Sequence, residues 1–354
     1  MTVLVTGASG LLGASVARVL VARGESVRTF QRRPSGVAGV VDAAGSLIDP
    51  RAVAAAVDGV DAVVHLAAKV SLAGDPAEFE RVNVGGTRTL LDAAERAGVR
   101  RFVQVSSPSV AHAGDSLVGV GAGVADPAAA RGEYARTKAA SELLALGRDV
   151  PPDRASLFPR DRGPDRPEQR RSTSATGLGV VAVRPHIVWG PGDTQLVERV
   201  IDRASSGRLP LLGHGAALID TTYLDNAADG IVAALDRLAD RPEAVRGRAY
   251  VLTNGEPRPV ADLLAGICRA AGVEPPRWRV PAGLARTAGG LIETVWRVRP
   301  GTDEPPMTRF LAEQLSTAHW FDQRSTRADL WWRPAVSIDE GFRRLAAHYG
   351  GTAR

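Results

Sequence analysis

The sequence predicts an α/β protein, a doubly wound parallel sheet followed by a smaller C-terminal lobe. Two observations carry that expectation. Short apolar runs rich in β-formers alternate with helix-period segments through the first half of the 354 residues, and strands that are apolar at successive positions belong to a parallel sheet covered on both faces. The first of these runs ends in a glycine-rich turn that leads into a helix.

Val3–Thr6, Val27–Phe30, Ala62–Leu66, Phe102–Ser106 and Val180–Arg184 read as strands. In the first intervening helix, Leu12, Val16, Val19 and Leu20 share one face, and Gly24 stands where a C-cap belongs. Asp149 to Arg171 breaks the pattern with prolines 151, 152, 159, 164 and 167 among six arginines. It reads as an exposed insertion between a helix and a strand. Beyond about Gly190 the alternation loosens. The expected organisation is a dinucleotide-binding domain over 1–189, carrying the insertion at about 149–171. Residues 190–354 then form mainly a substrate lobe, with about 220–252 returning to the first domain.

The turn is Thr6-Gly7-Ala8-Ser9-Gly10-Leu11-Leu12-Gly13. Gly7 permits the bend, Gly10 lets backbone N–H groups approach a pyrophosphate, and Gly13 lets the helix pack on the strand. Strand–turn–helix is the context this Rossmann-type mechanism requires, so Gly7, Ser9, Gly10, Leu11, Leu12 and Gly13 are expected to cradle a dinucleotide. At the end of the second strand an acidic residue would accept bonds from the ribose 2′-OH. Gln31-Arg32-Arg33 stands there instead, and guanidinium groups favour a 2′-phosphate, hence NADP(H) over NAD(H).

Tyr134 and Lys138 are four residues apart, one helical turn on the same face. With four tyrosines and only two lysines, Lys69 and Lys138, in the chain, chance pairing at that offset is rare. A free tyrosine titrates near pH 10. An adjacent ammonium and a positive nicotinamide both favour its phenolate, letting Tyr134 shuttle a proton while hydride moves. The fourth run delivers Ser106 and Ser107 to the carboxyl end of its strand, where a hydroxyl can orient the substrate oxygen. Leu66, Ala67, Ala68 and Lys69 close the third run, with His65 beside them as a strand-end residue and Lys69 within reach of phosphate or ribose. Pro185, His186, Ile187 and Trp189 could border nicotinamide or substrate, or simply pack.

Other classes are disfavoured. A single cysteine, Cys268, allows no intrachain disulfide or Cys-based metal cluster, no His/Cys/carboxylate spacing indicates a metal, and a reducing cytoplasm is the natural home. No secretory signal or membrane span is visible; Val280 to Val295 is interrupted by Arg286 and Glu293 and reads as an amphipathic helix of a soluble lobe rather than a membrane-touching surface. The net charge of +5 comes from arginines interspersed with acids, which is no nucleic-acid footprint.

These residues together resemble the extended short-chain dehydrogenases, specifically the 3β-hydroxysteroid dehydrogenase/isomerase branch. Besides the glycine turn and YARTK (134–138), the resemblance rests on VHLAA (64–68), NVGGT (83–87), RFVQVSS (101–107) and RPHIVWGPGD (184–193). Within that branch, SSPSVAHAG, DTTYLDNAADG (220–230), NGEPRP (254–259) and PPMTRFLAEQLSTAHWFD (305–322) look like the NADPH-dependent 2-alkyl-3-oxoalkanoate reductases of bacterial long-chain olefin biosynthesis. The resemblance implies reduction of a β-keto acid to a 2-alkyl-3-hydroxyalkanoate by Ser107, Tyr134 and Lys138. It adds Asn83 to the cofactor-binding residues and implies a homodimer, with a β-lactone synthetase and a thiolase-like enzyme as partners. Relatives commonly read G-D-L after the third strand to hold adenine, whereas this chain has Gly45-Ser46-Leu47. The other readings are an NAD-dependent sterol dehydrogenase, a nucleotide-sugar epimerase or dehydratase, and, least favoured, a dinucleotide sensor without turnover.

Overall fold

Successive side chains of a strand point to opposite faces, so an unbroken apolar strand needs cover on both. A computed structural model of the chain, which describes residues 1–71, 74–111, 114–149, 177–281, 283–285, 287–290, 292, 313 and 315–350, provides it. The main sheet has seven parallel strands: β1 (Thr2–Thr6), β2 (Ser26–Gln31), β3 (Val40–Ala44), β4 (Ala62–His65), β5 (Arg101–Val105), β6 (Gly179–Pro185) and β7 (Ala249–Leu252). Their order is 7-6-5-4-1-2-3. The order reverses between β1 and β4, which opens a crevice at their carboxyl ends. Register brings those ends level, with Thr6 opposite both Phe30 and His65, and His65 opposite Gln104.

One face of the sheet, with Val3, Val5, Val64, Val103 and Val181, packs on α1 (Leu11–Ala22) through Val16 and Leu20. The other face, with Leu4, Val63, Phe102 and Val180, packs on α2 (Pro50–Val57) through Val53 and α3 (Gly86–Ala97) through Leu90 and Leu91. Each such fully buried Val, Leu or Phe contributes roughly 1.5–3 kcal/mol over an exposed one. Next to β6 lies α4 (Gly132–Leu146), the helix of the YxxxK pair. Gly24 has φ +79 directly beyond α1 and donates to Val21 O, stopping the helix as a left-handed glycine does.

Four longer helices follow among the described residues: α5 (Val197–Ser205), α6 (Leu224–Asp240), α7 (Val260–Ala270) and α8 (Ile338–Gly350). Of these, α6 packs on α1 and on the sheet, where its Ile231 and Leu235 join the first face. The others surround Trp189, Ile267, Ile338 and Leu345 in a second core. A four-stranded sheet of Arg258–Pro259, Leu218–Ile219, His319–Phe321 and Leu117–Val120 takes its last strand from the first half of the chain. The prolines and arginines of the expected insertion lie outside the described residues, as do Leu291 and 293–295 of the expected amphipathic helix. Asp149 is described, and it pairs with Arg246 at 2.7 Å.

β3 and β7 fall outside the five apolar runs. An edge strand such as β3, with no fully buried residue, leaves no continuous apolar signal. No helix among the described residues is long and apolar enough to cross a membrane.

Candidate active site

The glycine turn is sterically committed. A Cβ on Gly13 would lie 2.4 Å from Gly7 O, and one on Gly7, whose φ is +79, would lie 2.9 Å from Ala67 N. Gly10 is the N-cap of α1; no side chain caps that first turn and no acidic residue lies in it. The backbone N–H groups and positive end of α1 therefore face the crevice at an exposed Ser9 and Gly10, a geometry that fits a pyrophosphate. Leu66, Ala67, Ala68 and Lys69 form the half-buried opposite rim.

At the outer end of the crevice Gln31 is buried. Its Nε2 donates to Thr29 Oγ1 at 3.0 Å and to Asp42 Oδ1 at 2.8 Å. Asp42 also accepts from Ser35 N and from the Thr29 hydroxyl, and the Thr29 bond holds its carboxyl below the usual range. Sequence reading missed this carboxylate, because it comes from β3 and reaches the end of β2 only through register. Arg32 and Arg33 are exposed beside it.

His65 is a fixture of the sheet. Its ring bonds Thr6 Oγ1 at 2.7 Å and Thr87 Oγ1 at 2.9 Å, and burial, with the charge of Lys138, drives it down to about 3. It stays neutral throughout the physiological range. Lys69 pairs through Nζ with Glu78 at 2.6 Å. Asn83, in a π-helical turn over Glu80–Gly85, accepts from Lys69 N at 2.6 Å and donates to Lys69 O and Thr137 Oγ1. Thr137 lies between Tyr134 and Lys138, so Asn83 brackets the rim to α4. Sequence reading placed both residues at the cofactor; in the structure their side chains are engaged with the protein.

Lys138 is buried against the end of β5, where its Nζ donates to Val105 O at 2.5 Å. Burial lowers this ammonium to about 8, while the Glu142 carboxylate one turn on pulls the other way. Tyr134 is half-buried, and burial pushes its hydroxyl up to about 12. Burial by itself thus works against the expected phenolate and favours the protonated hydroxyl. Ser106 Oγ is buried without a partner at the strand end. Ser107 Oγ accepts from Ser109 Oγ at 2.9 Å and is half-buried.

Behind α4 runs a feature the spacing did not reveal. Arg184 of β6 and Glu142 of α4, each 1% exposed, form a bidentate pair at 2.5 and 2.9 Å. Arg184 also donates to the carbonyls of Ala122 and Gly123. Both charges are satisfied, and the pair locks α4 to β6. Following β6, His186 and Trp189 are packing residues: His186 Nδ1 bonds Asp220 O at 2.6 Å, and Trp189 lies against Tyr223 and Phe342. Pro185 is buried at the end of β6 and Ile187 is half-buried just beyond it. Among the described residues no group of His, Cys, Asp and Glu could hold a metal.

Comparison with known proteins agrees with this architecture. Residues 3–148 match the NAD dependent epimerase/dehydratase family and residues 169–282 match the 3-beta hydroxysteroid dehydrogenase/isomerase family. The 2-alkyl-3-oxoalkanoate reductase of Stenotrophomonas maltophilia is 39% identical over 98% of this chain and 99% of its own length. That of Shewanella oneidensis is 35% identical over 97% and 85%. A 3 beta-hydroxysteroid dehydrogenase/Delta 5-->4-isomerase of Mycobacterium tuberculosis is 28% identical over 98% and 90%. Among solved structures, a short-chain dehydrogenase/reductase superfamily protein of Agrobacterium tumefaciens with bound NAD shares the fold, with a TM-score of 0.70 at 24% identity over 99% of this chain and 98% of that one. The chain is thus a nicotinamide-dependent oxidoreductase that belongs to the extended short-chain dehydrogenases, in the 3β-hydroxysteroid dehydrogenase/isomerase branch that holds the 2-alkyl-3-oxoalkanoate reductases.

Proposed function

We propose that the chain reduces the keto group of a long-chain 2-alkyl-3-oxoalkanoate to the 3-hydroxy acid, using NADPH. The observation that carries the reading is the pair Tyr134 and Lys138 one turn apart on α4, with Lys138 Nζ anchored on Val105 O at the end of β5, which leaves a tyrosine hydroxyl able to give its proton to a carbonyl oxygen. The substrate class follows the name of the full-length relatives. When bound, the nicotinamide supplies the hydride. Ser107 Oγ donates a hydrogen bond to the carbonyl oxygen, Tyr134 protonates it as negative charge develops, and Lys138 adds positive charge beneath Tyr134. Arg32 and Arg33, exposed at the end of β2, support the 2′-phosphate of NADPH.

The second reading is an NAD-dependent sterol dehydrogenase, favoured by the Asp42 carboxylate at the ribose end and by the mycobacterial relative. Oxidation of NADPH and of NADH with 2-alkyl-3-oxo acids, set against reduction of NAD with hydroxysterols, separates the two. Turnover of the sterol alone overturns the proposal. Arg32→Asp is expected to weaken NADPH at least tenfold while leaving NADH within about threefold, the loss of one charge-assisted bond; equal apparent affinities of the wild type for both cofactors remove the NADP assignment. A cytoplasmic homodimer working beside a β-lactone synthetase and a thiolase-like enzyme completes the proposal.

A further inference from the structure

Beneath Ile187 the second lobe forms an apolar cavity of about 50 Å³, walled by Leu196, Ile219, Val260, Leu264 and Phe342. Its polar atoms are matched to each other, since Trp189 Nε1 donates to Thr221 Oγ1 at 2.9 Å. A water placed there would find no second partner, so the space takes apolar groups.

Two features tie the cavity to the catalytic end of the sheet. Ile187 lies two residues beyond Pro185, the last residue of β6, and β6 pairs with β5, whose end carries Ser106 and Ser107. Ile187 is also β-branched at φ +44, a left-handed conformation such residues rarely adopt. Thr222 N holds it there by donating to Ile187 O at 3.2 Å. Its side chain becomes part of the cavity wall. Strain of this kind persists where the surroundings over-determine it, commonly at ligand-binding positions.

We infer that this cavity is the receiving site for the end of one alkyl branch of the substrate, with Ile187 as its threshold and Leu264 and Phe342 as the floor that limits chain length. The inference rests on the reaction proposed above. Burial of each further methylene strengthens productive binding about fourfold, and because the methylene is held equally in ground and transition states, the gain falls on KM and not on kcat.

The test uses the full chain with NADPH and two series of 2-alkyl-3-oxo acids, one lengthened in the 2-alkyl branch and one beyond the keto carbon. In wild type, kcat/KM is expected to climb about fourfold per methylene in one series and then level off. In Leu264→Phe the plateau arrives at least two carbons earlier, and in Leu264→Ala it arrives later. Phe342→Leu, which also lowers the floor, carries the variant arm if neither Leu264 substitution unfolds cooperatively. The inference is overturned if neither series depends on length, or if the plateau stays at the same carbon number in every folded variant. Failure of the proposed reaction has a different signature, no NADPH oxidation with any member of either series.

Discussion

Replacing Lys138 with methionine should abolish catalysis and yet stabilise the fold. The side chain is 4% exposed, and burial lowers its ammonium from 10.5 to about 8. A shift of that size corresponds to roughly 3 kcal/mol by which the fold disfavours the charged form at neutral pH. Against this stands the bond from Nζ to Val105 O, whose loss leaves a buried carbonyl unsatisfied at a cost of about 1–2 kcal/mol. The net expectation is a gain of about 1–2 kcal/mol at pH 7, a trade of stability for function common at active sites. The sign of the pH dependence follows from linkage. Between about pH 8 and 10 the unfolded chain keeps its Lys138 proton while the folded chain has lost it, so wild-type stability rises with pH as the buried charge is relieved. Lys138→Met lacks that contribution. Urea unfolding of both proteins at several pH values reads the difference, which should fall by about 2–3 kcal/mol between pH 7 and 10 and so reverse in favour of wild type. A methionine variant less stable than wild type at pH 7, or a difference that does not change with pH, refutes the account of Lys138 as a desolvated ammonium.

Three further outcomes follow from the same geometry. Tyr134→Phe should lower kcat by about 10²–10⁴-fold while the dissociation constant for NADPH, measured by fluorescence titration, stays within about threefold, since the proton is lost and the dinucleotide contacts are not. Gly13→Ala places a Cβ 2.4 Å from Gly7 O, a backbone atom that can yield only by shifting the turn. Dinucleotide affinity should fall at least about tenfold, a penalty of the size expected for overpacking, and calorimetric titration checks it. Glu142→Gln leaves the Arg184 guanidinium, 1% exposed, without its counter-charge. It should cost about 3–5 kcal/mol in denaturant unfolding, with much of that recovered in Glu142→Leu/Arg184→Met. The alkaline limb of its rate profile should also move to lower pH, because Glu142 supports the Lys138 charge.

Much of this was legible in the sequence because it is local. Gly7, Gly10 and Gly13 occupy one turn, and Tyr134 and Lys138 lie one helical turn apart, so spacing alone fixes their mutual geometry. The central strands announced themselves because a parallel strand covered on both faces must be apolar at every position. Asp42, Asn83 and the Arg184–Glu142 pair were not legible in the same way, since each acts on a residue that is distant in sequence or on another element.

The ionisation of the site was also beyond the reach of spacing. The sequence by itself determined the local groupings: a glycine-rich turn at the end of β1, a tyrosine and lysine on one helix face, and two serines at the end of β5. The tertiary structure alone decided how burial shifts their ionisation and the shape of the space beside them. Desolvation depends on everything packed around a group. It pushes the Tyr134 hydroxyl up, draws the Lys138 ammonium down, and leaves beneath Ile187 a cavity assembled from residues scattered between 187 and 342.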